Sequence, residues 1–148
     1  MKMERTVQIA AKPEDVYRVV MDPKRLDEWV SIHDSLPSAP DGELEKGSRL
    51  TQRLRLARRP ITVRWRVTED DRPRRVVWEG QRPFRARARA VYELAERDGG
   101  TRFHYENQFD LPGGPAGRLA GRGFGRTAER EMKQSLARLK TLVEDEAG

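Results

Sequence analysis

The chain contains no cysteine, which removes disulfides, thiolate nucleophiles and thiolate metal sites from consideration. Histidine is almost as scarce. His33 and His104 are the only two, far apart, and no carboxylate–histidine spacing around them matches a metal site. No cofactor is implied. No apolar run comes near the roughly 18 residues that a membrane-spanning helix needs. The start, Met1-Lys2-Met3-Glu4-Arg5-Thr6, enters a strand without an apolar signal core, which predicts a cytoplasmic protein. Aromatic residues make up 7% of the chain, hydrophobic residues 36%, and the mean hydropathy is −0.88. Such a polar balance suits a one-layer sheet with a solvated outer face better than a sheet covered on both sides.

What is present in excess is positive charge, +6 net with a pI near 10.0, carried mostly by arginine. A basic domain attracts phosphate or anionic lipid. Yet 24 acidic residues are interspersed, so a solvated cationic surface is the default reading. At 148 residues the chain is read as a single domain, 1–148, able to bury roughly 70% of its unfolded surface.

Alternation dominates the middle of the chain. Val7-Gln8-Ile9-Ala10 reads as a first strand. Lys12-Pro13-Glu14-Asp15 opens a helix with proline in its first turn and acids at the positive end of its dipole, and Val16, Val19 and Val20 form its apolar stripe. Asp22 can cap a second short helix, Lys24 to about Trp29, with Pro23 at its first position. From Leu36 to Leu111 the pattern is a meander. Its strands are Ser48–Ala57, Ile61–Thr68, Arg75–Gly80, Phe84–Leu94 and Thr101–Leu111, separated by turns at Asp70–Pro73, Gln81–Pro83 and Arg97–Gly100. After Leu111-Pro112-Gly113-Gly114-Pro115, a long helix runs to about Val143 with Ala128, Met132, Leu136, Leu139 and Val143 on its apolar stripe.

The strand at 84–94 is unusual on its dry face. Phe84, Tyr92 and Leu94 are bulky, but Ala86, Ala88 and Ala90 stand between them, where a filled core would carry Val, Ile or Leu. Three small residues in a row leave space for a cavity, or for large residues on neighbouring strands to fill.

The order of Ile9-Ala10-Ala11-Lys12-Pro13-Glu14-Asp15-Val16-Tyr17, Asp22-Pro23, Trp29 and the ending Ser135-Leu136-Ala137-Arg138-Leu139-Lys140 resembles the START-like (SRPBCC) polyketide cyclase/dehydrase and lipid-transport superfamily. The resemblance covers nearly the whole chain. It implies the helix-grip fold of the birch-pollen allergens, an α+β architecture. In it a curved antiparallel sheet of about seven strands wraps a long C-terminal helix, two short helices follow the first strand, and a cavity lies between sheet and helix. Functions attached to the fold include lipid and hormone binding and aromatase/cyclase chemistry, so the use of the cavity stays open.

Centring the turns places Gln52, Trp65, Trp78, Ala86 and Phe109 in one row of the inner face, with Ala88 beside Asn107 and Ala90 beside Tyr105. The expected lining is therefore Trp29, Gln52, Trp65, Trp78, Tyr92, Tyr105, Asn107 and Phe109, a surface suited to a hydrophobic or aromatic ligand with one or two hydrogen-bonding groups. Gln52 and Asn107 must find partners on so apolar a face, in a ligand or within the protein. His33 falls at the mouth of the expected cavity and is the weak candidate for a catalytic group. The inner strand positions hold no Asp, Glu, His or Lys, and a phenol is a poor base.

Three functions are open on these grounds. The first is binding of a hydrophobic small molecule, lipid or polyketide-like, by a monomer or homodimer. The second is an aromatase/cyclase-type enzyme. The third is a regulator that binds a partner or nucleic acid through Arg53, Arg55, Arg64, Arg66, Arg85, Arg87 and Arg89 on the outer face. Nucleic acid is disfavoured because no aromatic is interleaved there for base stacking. Finally, Gly117, Gly121 and Gly125 share one face of the long helix beside Arg118, Arg122, Arg126 and Arg130. Residues 113–126 thus form either a loose flap over the cavity or a close helix–sheet contact.

Overall fold

The computed structural model describes residues 1–81, 87–110 and 114–148, with side chains from residue 123 onward in the last segment. Phe84, Arg85 and Ala86 of the alanine strand lie outside the described residues. So do the side chains of Gly117, Arg118, Gly121 and Arg122, on which the flap expectation rests.

Seven antiparallel strands form one sheet in the order β1-β7-β6-β5-β4-β3-β2. They are β1 (Lys2–Ile9), β2 (His33–Ser38), β3 (Arg49–Leu56), β4 (Arg59–Asp71), β5 (Arg75–Gln81), β6 (Arg87–Arg97) and β7 (Gly100–Phe109). Between β1 and β2 come α1 (Pro13–Val20), a 3-10 turn (Pro23–Arg25) and α2 (Leu26–Trp29), and the chain closes with α3 (Gly114–Ala147). This is the expected helix-grip arrangement. The second helix differs in detail. Asp22 does accept from the Lys24 N–H at 3.1 Å, but the cap starts a 3-10 turn that leads into a single α-turn. The strand β2, which carries Pro37, sits at the sheet edge, where a missing ladder donor costs nothing.

Two hairpins close on two-residue turns in the left-handed region, Ala57-Arg58 (φ 51° and 66°) and Asp98-Gly99 (φ 51° and 77°). Such turns match the strand twist. The first is tighter than the expected loop through Pro60, and a bulge at Thr68 shifts β4 against β5. Together they correct the register. Gln52 faces Val63, Trp65 lies between Leu50 and Gly80, and Trp78 lies between Val67 and Ala90. Ala88 pairs with Phe109, Ala90 with Asn107, and Tyr92 with Tyr105.

Helix α3 presents Ala128, Met132, Leu136, Leu139 and Val143 to the inner face, all buried. It is also pinned along its length by polar contacts. Ser135 Oγ accepts from the Ser31 N–H (2.9 Å), Lys140 Nζ donates to Gln8 O (2.7 Å), Glu144 Oε2 accepts from the Ala10 N–H (2.8 Å), and Glu146 pairs with Arg25. At the other end of the core, Tyr17 donates to both carboxylate oxygens of Asp70, at 2.7 and 2.8 Å. No helix among the described residues is long and apolar enough to cross a membrane.

Candidate functional site

The buried apolar side chains form two clusters. The larger holds α1, α2, the back half of α3 and most of the sheet. The smaller holds Met3, Leu56, Ala128 and Met132, with Ile32, Ile61, Tyr105, Phe109 and Phe124 packed against it. Between the two lies a cavity of about 60 Å³. The sheet contributes Trp65, Ala88 and Phe109 to its wall, α2 contributes Trp29, and α3 contributes Glu131, Met132 and Ser135. Its position follows from side-chain size. Gly80 and Ala88 are cross-strand partners on the inner face, so no bulk rises from β5 and β6 there. A Cβ on Gly80 would stand 2.5 Å from Val63 Cγ1 and 2.8 Å from Trp65 Cε3. Glycine is therefore what lets Trp65 lie flat against the sheet.

Of the eight expected lining residues, Trp29, Trp65, Tyr105, Asn107 and Phe109 lie in this wall. Trp78 and Tyr92 stand behind it, in a chain of aromatic contacts from Trp65 to Trp78 (5.9 Å between centroids), on to Tyr92 (5.5 Å) and then to Phe103 (5.7 Å). Trp78 occupies the space over Ala90, its cross-strand partner, as large–small complementarity demands. Only Ala88, of the two described alanines, opens onto the cavity.

Gln52 is buried behind Trp65, and both ends of its amide are satisfied. Its Oε1 accepts from Trp65 Nε1–H at 2.9 Å, and its Nε2 donates to His33 Nδ1 at 3.0 Å. The chain of donors assigns the His33 tautomer. Trp65 can only donate, so Gln52 must turn its carbonyl to Trp65 and its NH₂ to His33. Nδ1 is then an acceptor, and the neutral ring carries its proton on Nε2. Burial lowers the His33 pKa below the usual imidazole value, against the pull of Asp27 and Asp34. His33 supports Trp65 from behind, through Gln52, and is not a member of the wall.

The polar atoms that do reach the cavity are few. Trp29 borders it and is fully buried, and its Nε1–H, like that of Trp78 behind the wall, has no partner among the described residues. Tyr105 Oη accepts from Asn107 Nδ2 at 3.1 Å, which leaves its own proton free to be donated, and burial pushes its pKa up to about 12, with Asn107 opposing. This phenol is a neutral hydrogen-bond donor at any ordinary pH. Glu131 and Ser135 also border the cavity, and the Glu131 carbonyl accepts from Ser135 Oγ at 2.9 Å and from Ser31 Oγ at 3.0 Å. Strand alternation reveals inner acids on strands alone. Glu131 and Ser135 fall three and seven residues after Ala128, on the same helical face as the apolar stripe, which was the available signal. Asp70 escapes alternation for another reason, since the bulge at Thr68 reverses the pattern beyond it.

A family described as polyketide cyclase / dehydrase and lipid transport matches residues 1–144. No curated protein matches the sequence. Among solved structures, protein TTHA0849 of Thermus thermophilus is similar with a TM-score of 0.84 at 18% identity, covering 100% of both chains. Protein CV1439 of Chromobacterium violaceum gives 0.70 at 18% identity, over 97% of this chain and 96% of that one. Protein Ms6760 of Mycobacterium smegmatis gives 0.67 at 22%, over 96% and 90%. At these identities the likeness is one of fold.

Proposed function

The chain belongs to the polyketide cyclase/dehydrase and lipid transport family, and from that premise we propose that it binds a hydrophobic small molecule, lipid or polyketide-like, in the cavity between α3 and the sheet. The observation that carries this reading is a mostly apolar cavity bordered by Trp29, whose Nε1–H is buried without a partner among the described residues, as is that of Trp78 in the filled core behind it. An unsatisfied buried donor costs ~1–3 kcal/mol, a cost that a ligand acceptor would recover. Tyr105 supplies a second neutral donor nearby, its ring 6.3 Å from that of Trp29. The favoured ligand is therefore apolar or aromatic and carries a carbonyl or similar acceptor at the end that meets these two donors.

The cavity is small. At about 60 Å³ it holds a few waters or a functional group, and it is well short of the ~150 Å³ that admits benzene. Ring-sized ligands must widen it. The test compares acetophenone with ethylbenzene, which differ in the carbonyl, using tryptophan fluorescence of the unaltered protein and of Trp29→Phe. Phenylalanine keeps an aromatic ring and removes the donor. The expectation is a loss of about tenfold in acetophenone affinity with little change for ethylbenzene. Equal changes for both, or no binding of either, would refute the reading.

Glu131 favours a second reading, proton-transfer chemistry on a bound poly-β-ketone, because it is the acidic residue among the described residues that line the cavity. A polyketide-like ligand recovered unchanged after incubation supports simple binding. A cyclised or dehydrated product supports catalysis.

A further inference from the structure

The cavity leaves the arginines of the outer face unexplained. Five of them, Arg49, Arg64, Arg66, Arg87 and Arg89, line a trough of about 870 Å³ on the side of the sheet away from α3. Its floor is laid out by the strand register. Across one row run Arg49, Arg66, Glu79, Arg89 and Gln108, and across the next Thr51, Arg64, Gln81 and Arg87. Neighbouring strands stand ~4.8 Å apart and alternate residues ~6.6 Å apart, so these guanidiniums converge on one patch.

The arrangement is electrostatically costly as it stands. Arg49 and Arg66 are direct cross-strand partners of like charge, a placement that destabilises a sheet. Elsewhere on the molecule some cations are matched, Arg75 with Glu69 and Glu93, Arg72 with Glu14 and Glu43, and Lys2 with Glu106, whereas others such as Arg53, Arg55 and Arg102 make no ion pair among the described residues. In the trough Arg49, Arg64, Arg66 and Arg87 make no ion pair among the described residues, and Arg89 reaches only Glu106, at 3.9 Å. Among the described residues Glu79 and Asp110 are the carboxylates of the trough, against five arginines, a surplus of three positive charges. Asp110 also accepts from the Arg87 backbone N–H at 2.9 Å. Around the cations stand neutral groups that can donate, Ser38, Thr51, Gln81 and Gln108.

We propose that this trough is a binding site for a small, multiply phosphorylated anion. Guanidinium forks match phosphate oxygens two at a time, and several at this spacing can hold a di- or triphosphate group at once. The trough's volume lies in the range of small-molecule sites. A flat bilayer would meet its rim and leave the floor empty, and the described outward-facing residues include no aromatic side chain on which a nucleobase could stack. The site lies on the opposite face of the sheet from the cavity, with Trp65, Ala88 and Phe109 of the intervening strands bordering both.

The probe is inorganic tripolyphosphate, titrated calorimetrically into the full chain at near-physiological salt. Binding is expected, and Arg64→Gln/Arg66→Gln should weaken it by at least about tenfold. Lys133→Gln/Arg138→Gln, the same charge loss on the exposed side of α3, should weaken it less than about twofold. Backbone amide shifts in the unaltered protein give a readout that does not require the variant to fold, and they should concentrate at 64–66, 79–81 and 87–89. Phosphatidylglycerol vesicles and a single-stranded oligonucleotide are the other arms. Failure to bind tripolyphosphate, equal losses in the two variants, shifts outside these segments, or binding to vesicles or oligonucleotide alone would each overturn the proposal.

Discussion

Gln52→Leu is the most informative single substitution, because one amide links Trp65 in the cavity wall to His33 behind it. Leucine fills most of the amide's volume but accepts nothing. Trp65 Nε1–H, on a side chain only 6% exposed, is then left bare, whereas the half-buried His33 can turn to water. An orphaned buried donor costs ~1–3 kcal/mol, partly offset by the apolar side chain, so a net loss of about 1–2 kcal/mol at neutral pH is expected. The same change alters the pH dependence. In the unaltered protein the His33 pKa is depressed by burial, and its Nδ1 is occupied as an acceptor. The unfolded chain, with an imidazole pKa of about 6.5, then binds more protons below that pH than the folded one. Stability is full above about pH 6.5 and falls on acidification until the folded pKa is passed, by no more than ~1.4 kcal/mol per pH unit. Without Gln52, Nδ1 is free to hold a proton and the folded pKa rises, so the acid loss shrinks. Urea denaturation at pH 5 and pH 7.5, with the His33 ring followed by NMR, measures both effects. A Gln52→Leu protein whose His33 titrates where the unaltered one does would refute the assigned tautomer and the coupling.

Two further substitutions probe how the site is held. Gly80→Ala should destabilise by about 1–3 kcal/mol in thermal denaturation, since its Cβ would press on Val63 and on the Trp65 ring; a change within experimental error would mean that Trp65 is not seated on bare backbone. Tyr17→Phe removes the donor that both Asp70 oxygens share and should cost about 1–2 kcal/mol, measured by urea denaturation, with a near-neutral result showing that water replaces the phenol without loss.

The element order was legible because each element carries its own local pattern. Alternation marks strands β3 to β7, Pro13 with Glu14 and Asp15 marks the start of α1, and Asp22 marks the cap that follows it. Register was less legible, because it depends on turns whose length the alternation does not encode. Ala57-Arg58 bears no glycine or asparagine, yet it adopts the left-handed turn that moves Gln52 from Trp65 to Val63. A shift of two residues keeps every side chain on its face and changes only its neighbours. That is why the aromatic inventory of the inner face was readable while the division between wall and filled core was not. Trp78 and Tyr92 went to the core because Ala90 falls opposite Trp78, four residues along from the Ala86 pairing that turn-centring gives. Glu131 and Ser135 escaped notice because strand alternation does not reach them; only their spacing from Ala128 along the stripe of α3 marks them.

The cavity's small size and the family's breadth of ligands are reconciled by what borders it. On one side is the aromatic network of Trp29, Trp65, Trp78, Tyr92 and Tyr105, locked by edge contacts and by the Gln52 amide. On the other is the smaller cluster, where Met3 and Met132 are the buried members of greatest freedom and Phe109 and Phe124 meet edge-to-face at 5.8 Å. Methionine has three rotatable side-chain bonds and tolerates repacking, whereas a tryptophan with both faces in contact does not. Enlargement of the cavity therefore falls to the methionine side, with the donors Trp29 Nε1–H and Tyr105 O–H held fixed on the aromatic side. On the proposed binding reading, the polar end of a ligand would meet the rigid side and its apolar end the adaptable one, which predicts selection for an acceptor at one end and tolerance of size and shape at the other.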